Sequence, residues 1–233
     1  MKAALIVVDM QEDFCPPNGS LAVQGARELA PTINSLLAHP GFAVRVASQD
    51  YHPPDHISFA SNHPPPNNRP FESSITISNP APGKETETKE QMLWPVHCVQ
   101  QTSGADIIPE IDPTKVDLFV KKGMDRRVEM YSAFADSFGN QDPAIVSSDT
   151  HLQAFLAGRG VKDVFVVGVA GDYCVKHTAL DAATAGFRSF VVQDATECVV
   201  PGTGWEETVH ELTSAGVLVV RSDGPEIAGL ANG

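Results

Sequence analysis

Val164-Phe165-Val166-Val167-Gly168-Val169-Ala170-Gly171-Asp172-Tyr173-Cys174 is the stretch that decides the fold. A β-branched run over 164–168 passes through two glycines into Cys174–Ala185, which is alanine-rich and stops at Gly186. A short apolar run, a glycine-bearing turn and a helix-forming segment together make a strand–turn–helix unit. The rhythm recurs in both directions. β-branched runs at 3–8, 43–48, 116–121, 188–193 and 217–221 predict further strands. Leu29, Ile33, Leu36 and Leu37 form one helical stripe, and Leu152, Phe155 and Leu156 another. Glu206–Ala215 reads as a helix ending at Gly216. Strands alternating with helices predict an α/β protein whose parallel sheet is covered by helices on both faces.

The 233 residues suffice for one large domain with a substantial core, and the chain reads as a single domain over 1–233. One stretch breaks the rhythm. Ser61–Pro82 holds six prolines, and Lys84–Glu90 is almost wholly polar. A linker between domains is one reading. The apolar Met92-Leu93-Trp94-Pro95-Val96-His97 that follows favours another, a Pro-rich insert at about 57–93 that carries functional residues back to the site.

A net charge of −13 argues against nucleic acid or an anionic membrane as partner and leaves a small molecule. The oligomeric state stays open. No apolar run reaches 18 residues, and Ala3–Val8 is too short for a signal peptide. Cys15, Cys98, Cys174 and Cys198 are dispersed, with no CxxC, as expected of reduced thiols in a cytoplasmic protein.

Ligands of open parallel sheets bind beyond the carboxyl ends of the strands. Asp9, Asp50, Lys122 and Cys174 each follow or end an apolar run, so four strands would bring them to one edge. Lys121 and Lys122 should point to opposite faces, and only Lys122 precedes the turn at Gly123. Cys174 is expected to open a helix, where backbone amides and a nearby cation stabilise a thiolate. Cys15, Cys98 and Cys198 lack that setting and read as structural. Asp50-Tyr51-His52 and Trp94-Pro95-Val96-His97 offer a carboxylate and two imidazoles for one divalent metal ion, with Zn, Fe and Mn all compatible.

These motifs resemble the isochorismatase-like cysteine hydrolases. Val7-Val8-Asp9-Met10-Gln11-Glu12-Asp13-Phe14, Lys121-Lys122-Gly123 and Gly168–Val175 look like motifs shared across that superfamily. Asp50-x-His52 with Trp94-Pro95-x-His97 and Tyr131-Ser132-Ala133-Phe134 are similar to its nicotinamidase branch, and the long insert resembles that of fungal members. The resemblance implies a six-stranded parallel sheet and hydrolysis of nicotinamide, in NAD salvage, through a thioester on Cys174. It implies Asp9 as the base, Lys122 as its partner, and the amides of Ala170 and Cys174 as the oxyanion hole beside a cis Val169–Ala170 peptide. It implies Asp50, His52 and His97 as ligands of one divalent ion, Zn first, with His56 matching a position that is a ligand in only some members. Phe14, Trp94 and Tyr131 match residues lining the ring pocket. Gly171 departs from the pattern, since threonine is frequent there, and the change is expected to loosen the turn. Three rivals remain: another small-amide cysteine hydrolase, a metal-activated water without a covalent step, and a catalytically silent binding protein on the same fold.

Overall fold

The computed structural model describes residues 1–141 and 147–232. The single-domain reading over 1–233 therefore also includes positions outside the described residues. Six strands form one sheet: β1 (Lys2–Val8), β2 (Phe42–Asp50), β5 (Leu118–Lys122), β6 (Val161–Val169), β7 (Arg188–Glu197) and β8 (Leu218–Val220). Their order is β5-β2-β1-β6-β7-β8. Every pairing is parallel.

The apolar runs are continuous because both faces of the sheet are covered. Side chains alternate between the faces along β1. Ala3, Leu5 and Val7 join Phe42, Phe165 and Phe190 in one core, against Ile33, Leu36 and Leu37 of α1 (Ala30–Ala38). Ala4, Ile6 and Val8 join Val44, Val46, Val164 and Val166 in the other. That second core is closed by α2 (Leu152–Gly158), α3 (Lys176–Thr184) and α4 (Thr203–Ser214). A short α5 (Pro225–Ala228) adds Ile227 to the first core.

The chain winds outward from β1 to β2 and β5, then returns to lay β6, β7 and β8 on the other side. The order therefore reverses between β1 and β6. Such a switch point opens a crevice at the carboxyl edge of the sheet. Asp9 leaves β1 there, and the Gly168–Cys174 turn leaves β6.

Several sequence boundaries shift. Asp50 and Lys122 are the last residues of β2 and β5 rather than the first beyond them. They are paired in register, as are Gln49 and Lys121. The helix expected from Cys174 begins at Lys176, and Cys174 lies within a preceding π-helical turn over Gly171–Val175. The insert is not an irregular loop. It contains an antiparallel hairpin of β3 (Ser74–Ser78) and β4 (Thr88–Met92), forming a second sheet.

Candidate active site

Lys122 is completely buried and stands between two carboxylates. Its Nζ is 2.9 Å from Asp9 Oδ2 and also donates to Asp50 Oδ1. The same ammonium donates to Met130 O at 3.1 Å and to Cys174 Sγ at 3.5 Å. Burial opposes its charge, but Asp50 and Asp9 outweigh burial and hold Lys122 well above the ordinary lysine range. Lys121 points away, its Nζ 4.1 Å from the centre of the Tyr51 ring.

Asp9 departs from the strand with φ 51°. Its Oδ1 accepts a 2.6 Å bond from Ser48 Oγ. Its Oδ2 is close enough to Lys122 for ion pairing but accepts no aligned hydrogen bond. Burial raises the Asp9 carboxyl to about 6 against the pull of Lys122. Burial also pushes the Cys174 thiol well above its ordinary range, and Lys122 offsets this only in part. The expected thiolate is therefore corrected to a neutral thiol. Desolvation outweighs the cation, leaving a protonated sulfur beside a carboxylate oxygen that can receive its proton.

Asp50 links this group to two imidazoles. Burial opposes its charge, yet Lys122 and His52 hold its carboxyl below the ordinary range. Its Oδ2 is 3.5 Å from His52 Nε2 and 3.8 Å from His97 Nε2. His52 Nδ1 donates to Gly123 O at 2.8 Å, and His97 Nδ1 donates to Pro95 O at 2.7 Å. A carbonyl oxygen only accepts, so Nδ1 of each ring carries a proton and Nε2 is the nitrogen turned toward Asp50.

Gly123 is required for this arrangement. It adopts φ +67°, and a Cβ there would lie 2.6 Å from His52 Nδ1. His52 Nε2 is buried without a hydrogen-bond partner. Burial disfavours charge on His52, but Glu129 and Asp50 raise it to about 9. The same negative field favours a cation at Nε2. Ligand atoms of Asp50, His52 and His97 lie within 4.8 Å of one another, so carboxylate, imidazoles and field together fit a divalent ion.

His56 is placed differently from the three. Its ring stacks on His52 at 4.0 Å, while its nitrogens bond Ser58 Oγ at 2.8 Å and Val128 O at 3.1 Å. It backs His52, and joining a metal would require giving up one of those bonds. Glu129 and Gln11 had not been singled out in the sequence. Glu129 Oε1 is 3.9 Å from His52 Nε2. Gln11 accepts from Asp50 N and donates to Asp50 O, both at 2.8 Å, so it holds the backbone of Asp50. Neither belongs to a local pattern that marks chemistry, although Gln11 lies within the opening motif.

Phe14, Trp94, Tyr131, Ala170 and Cys174 all line one pocket, together with Asp50 and His97. The Val169–Ala170 peptide is cis. Gly171 does not leave a gap: Cys198 Sγ fills the space, 2.7 Å from where a Cβ would stand. Asp172 binds the amides of Val199 and Val200 at 2.9 and 3.0 Å and ties the turn to the next loop. The expected loosening of the turn is therefore not found.

Fold and site together define the class. The Isochorismatase domain family matches residues 3–223, and the chain belongs to that family. It is 37% identical over 219 residues to the nicotinamidase of Acinetobacter baylyi, covering 94% of this chain and 92% of that one. The solved yeast nicotinamidase bound to the inhibitor nicotinaldehyde superposes with a TM-score of 0.84 at 34% identity, over 94% of this chain and 99% of that one. The Pyrococcus horikoshii pyrazinamidase in complex with zinc gives 0.70 at 32% identity, over 95% and 99%.

Proposed function

We propose that this protein is a nicotinamidase, hydrolysing nicotinamide to nicotinate and ammonia in NAD salvage. The observation that carries the reading is the meeting of Asp9 Oδ2, Lys122 Nζ and Cys174 Sγ in one buried group. Asp9 takes the proton of the Cys174 thiol, and sulfur attacks the carboxamide carbon. The amides of Ala170 and Cys174 receive the oxyanion. Asp9 returns the proton to the leaving nitrogen, and ammonia departs from a thioester. Asp9 then deprotonates a water that attacks the thioester, giving nicotinate and restoring the thiol. Lys122 keeps Asp9 anionic between these transfers.

Asp50, His52 and His97 are the proposed ligands of one divalent ion, and zinc is favoured by the zinc-bound neighbour. When bound, the ion supplies a Lewis-acid site for the pyridine nitrogen. Phe14, Trp94 and Tyr131 hold the ring. The chain is read as one hydrolase domain with an insert. Its four buried free cysteines support a reducing, cytoplasmic setting, and no helix among the described residues is long and apolar enough to cross a membrane.

Ammonia release from a carboxamide panel tests the substrate. Nicotinamide and benzamide offer the same amide, but only nicotinamide carries the ring nitrogen. We expect kcat/KM for benzamide to be lower by about 10²-fold or more, because positioning alone reaches that size. Pyrazinamide keeps a matching nitrogen and should be accepted. Equal turnover of benzamide and nicotinamide would remove the role given to the ring nitrogen.

Metal analysis of the purified protein tests the ligands separately. His52→Ala should lose most bound metal while the far-ultraviolet circular dichroism stays unchanged. Full metal content in that variant would take His52 out of the ligand set.

A further inference from the structure

We infer that Gln91, delivered by the insert hairpin, is a positioning residue that fixes the aromatic wall of the pocket through the Tyr131 hydroxyl. The first three residues of β4 are polar and turned outward. Thr88, Lys89 and Glu90 are exposed, whereas Gln91 is 2% exposed. A buried amide in an exposed hairpin needs a partner, and its partner is the pocket. Gln91 Nε2 donates to Met92 O at 2.7 Å and to Tyr131 Oη at 3.0 Å. Trp94 Nε1 donates to the same oxygen at 3.1 Å.

A phenol oxygen has one hydrogen and two acceptor sites. With two N–H groups bound to it, its own hydrogen is left one direction. Burial, with the negative charge of Glu129, holds the Tyr131 phenol well above its ordinary range, so it stays protonated. The ring is clamped as well. It stacks on His177 with centroids 5.4 Å apart and lies 5.6 Å from Tyr173, on whose face Trp94 stands edge-on at 5.0 Å. Gln91 therefore orders Tyr131, Trp94 and Tyr173 together. Because the substrate ring is stacked in both ground and transition states, loss of this order falls on KM more than on kcat.

The inference rests on the nicotinamidase reading for its kinetic test, and a spectroscopic test stands apart from it. In the kinetic test, Gln91→Met and Gln91→Glu should each raise KM for nicotinamide about fivefold, the worth of one hydrogen bond, with kcat changed less than about twofold. Gln91→Glu keeps the shape and replaces the amide donor with a buried carboxyl oxygen, whereas Gln91→Met removes the donor without adding charge. In a Tyr131→Phe background, Gln91→Met should add less than about a twofold further change, since the oxygen it serves is gone. Glu90→Ala is the hairpin control. It removes the bonds of Glu90 to Ser74 and Thr76, which lie away from the pocket, and should keep the wild-type KM.

A full KM effect of Gln91→Met in the Tyr131→Phe background, a wild-type KM in Gln91→Glu, or an equal effect of Glu90→Ala would overturn the proposal. The spectroscopic test uses the two tryptophans of the chain. With Trp205→Phe present, fluorescence reports Trp94 alone. Its emission should shift with Gln91→Met and not with Glu90→Ala. Absence of a shift would overturn the proposal whatever the substrate. Failure of the wild-type protein to release ammonia from nicotinamide would instead overturn the functional reading and leave the emission result to decide the role of Gln91.

Discussion

Replacing Cys174 with alanine should lower kcat for nicotinamide by roughly 10⁴-fold or more, the scale on which removing a covalent nucleophile acts. Cys174 is 6% exposed, lines the pocket and is the only cysteine hydrogen-bonded to Lys122 among the described residues. Asp9 and Lys122 would remain in place but would have no nucleophile to serve. The rival in which a metal-activated water attacks the amide makes the opposite forecast, because its water does not need sulfur. Ammonia release separates the two, and circular dichroism checks that the variant is folded. Cys15→Ala is the control. Cys15 is also buried, and burial raises its thiol to about 12, but it packs in the first core and makes no hydrogen bond to Asp9 or Lys122. It should keep most activity. A quenched reaction of the wild-type protein should carry an acyl group on Cys174 by mass spectrometry, and activity of Cys174→Ala above a few per cent of wild type would refute the covalent route.

The sheet was legible because its strands are buried on both faces. β1 and β6 read as apolar runs over 3–8 and 164–169, and such runs separated by helical stripes leave few architectures open. The hairpin of the insert was not legible. Ser74-Ile75-Thr76-Ile77-Ser78 does alternate, but it is short and sits among prolines and asparagines. Its partner Thr88-Lys89-Glu90-Gln91-Met92 turns a single fully buried residue toward the protein, so it carries no apolar signal.

The site divides along the same line. Asp9, Lys122 and Cys174 could be placed from the strand ends that bear them. Gln11 and Glu129 act through contacts between distant segments, such as the two bonds from Gln11 to the backbone of Asp50, and no local pattern announces these. The state of Cys174 was misread for a related reason. A cation and a turn are visible in sequence, whereas the depth of burial that overrides them is not.

Lys122→Met should cost about 10³-fold or more in kcat/KM, and Lys121→Met less than about twofold. The two lysines are neighbours in sequence and opposite in placement. Lys121 is partly exposed over the Tyr51 ring, a contact worth about 0.5–1 kcal/mol at such sites and remote from Cys174. Lys122 is the cation shared by Asp9, Asp50 and the thiol.

Without Lys122, two buried carboxylates lose their counter-charge. Breaking a buried pair in this way costs about 3–5 kcal/mol of stability, so the melting temperature should fall as well. The rate loss has its own cause. Asp9 already sits near 6 with Lys122 present, and removing the ammonium would drive it further upward. At neutral pH it would then be protonated and unable to accept the proton of Cys174. Activity per folded molecule, measured well below the melting transition of each variant, separates this effect from unfolding. Equal losses from the two substitutions would contradict the strand register that pairs Asp50 with Lys122 and Gln49 with Lys121.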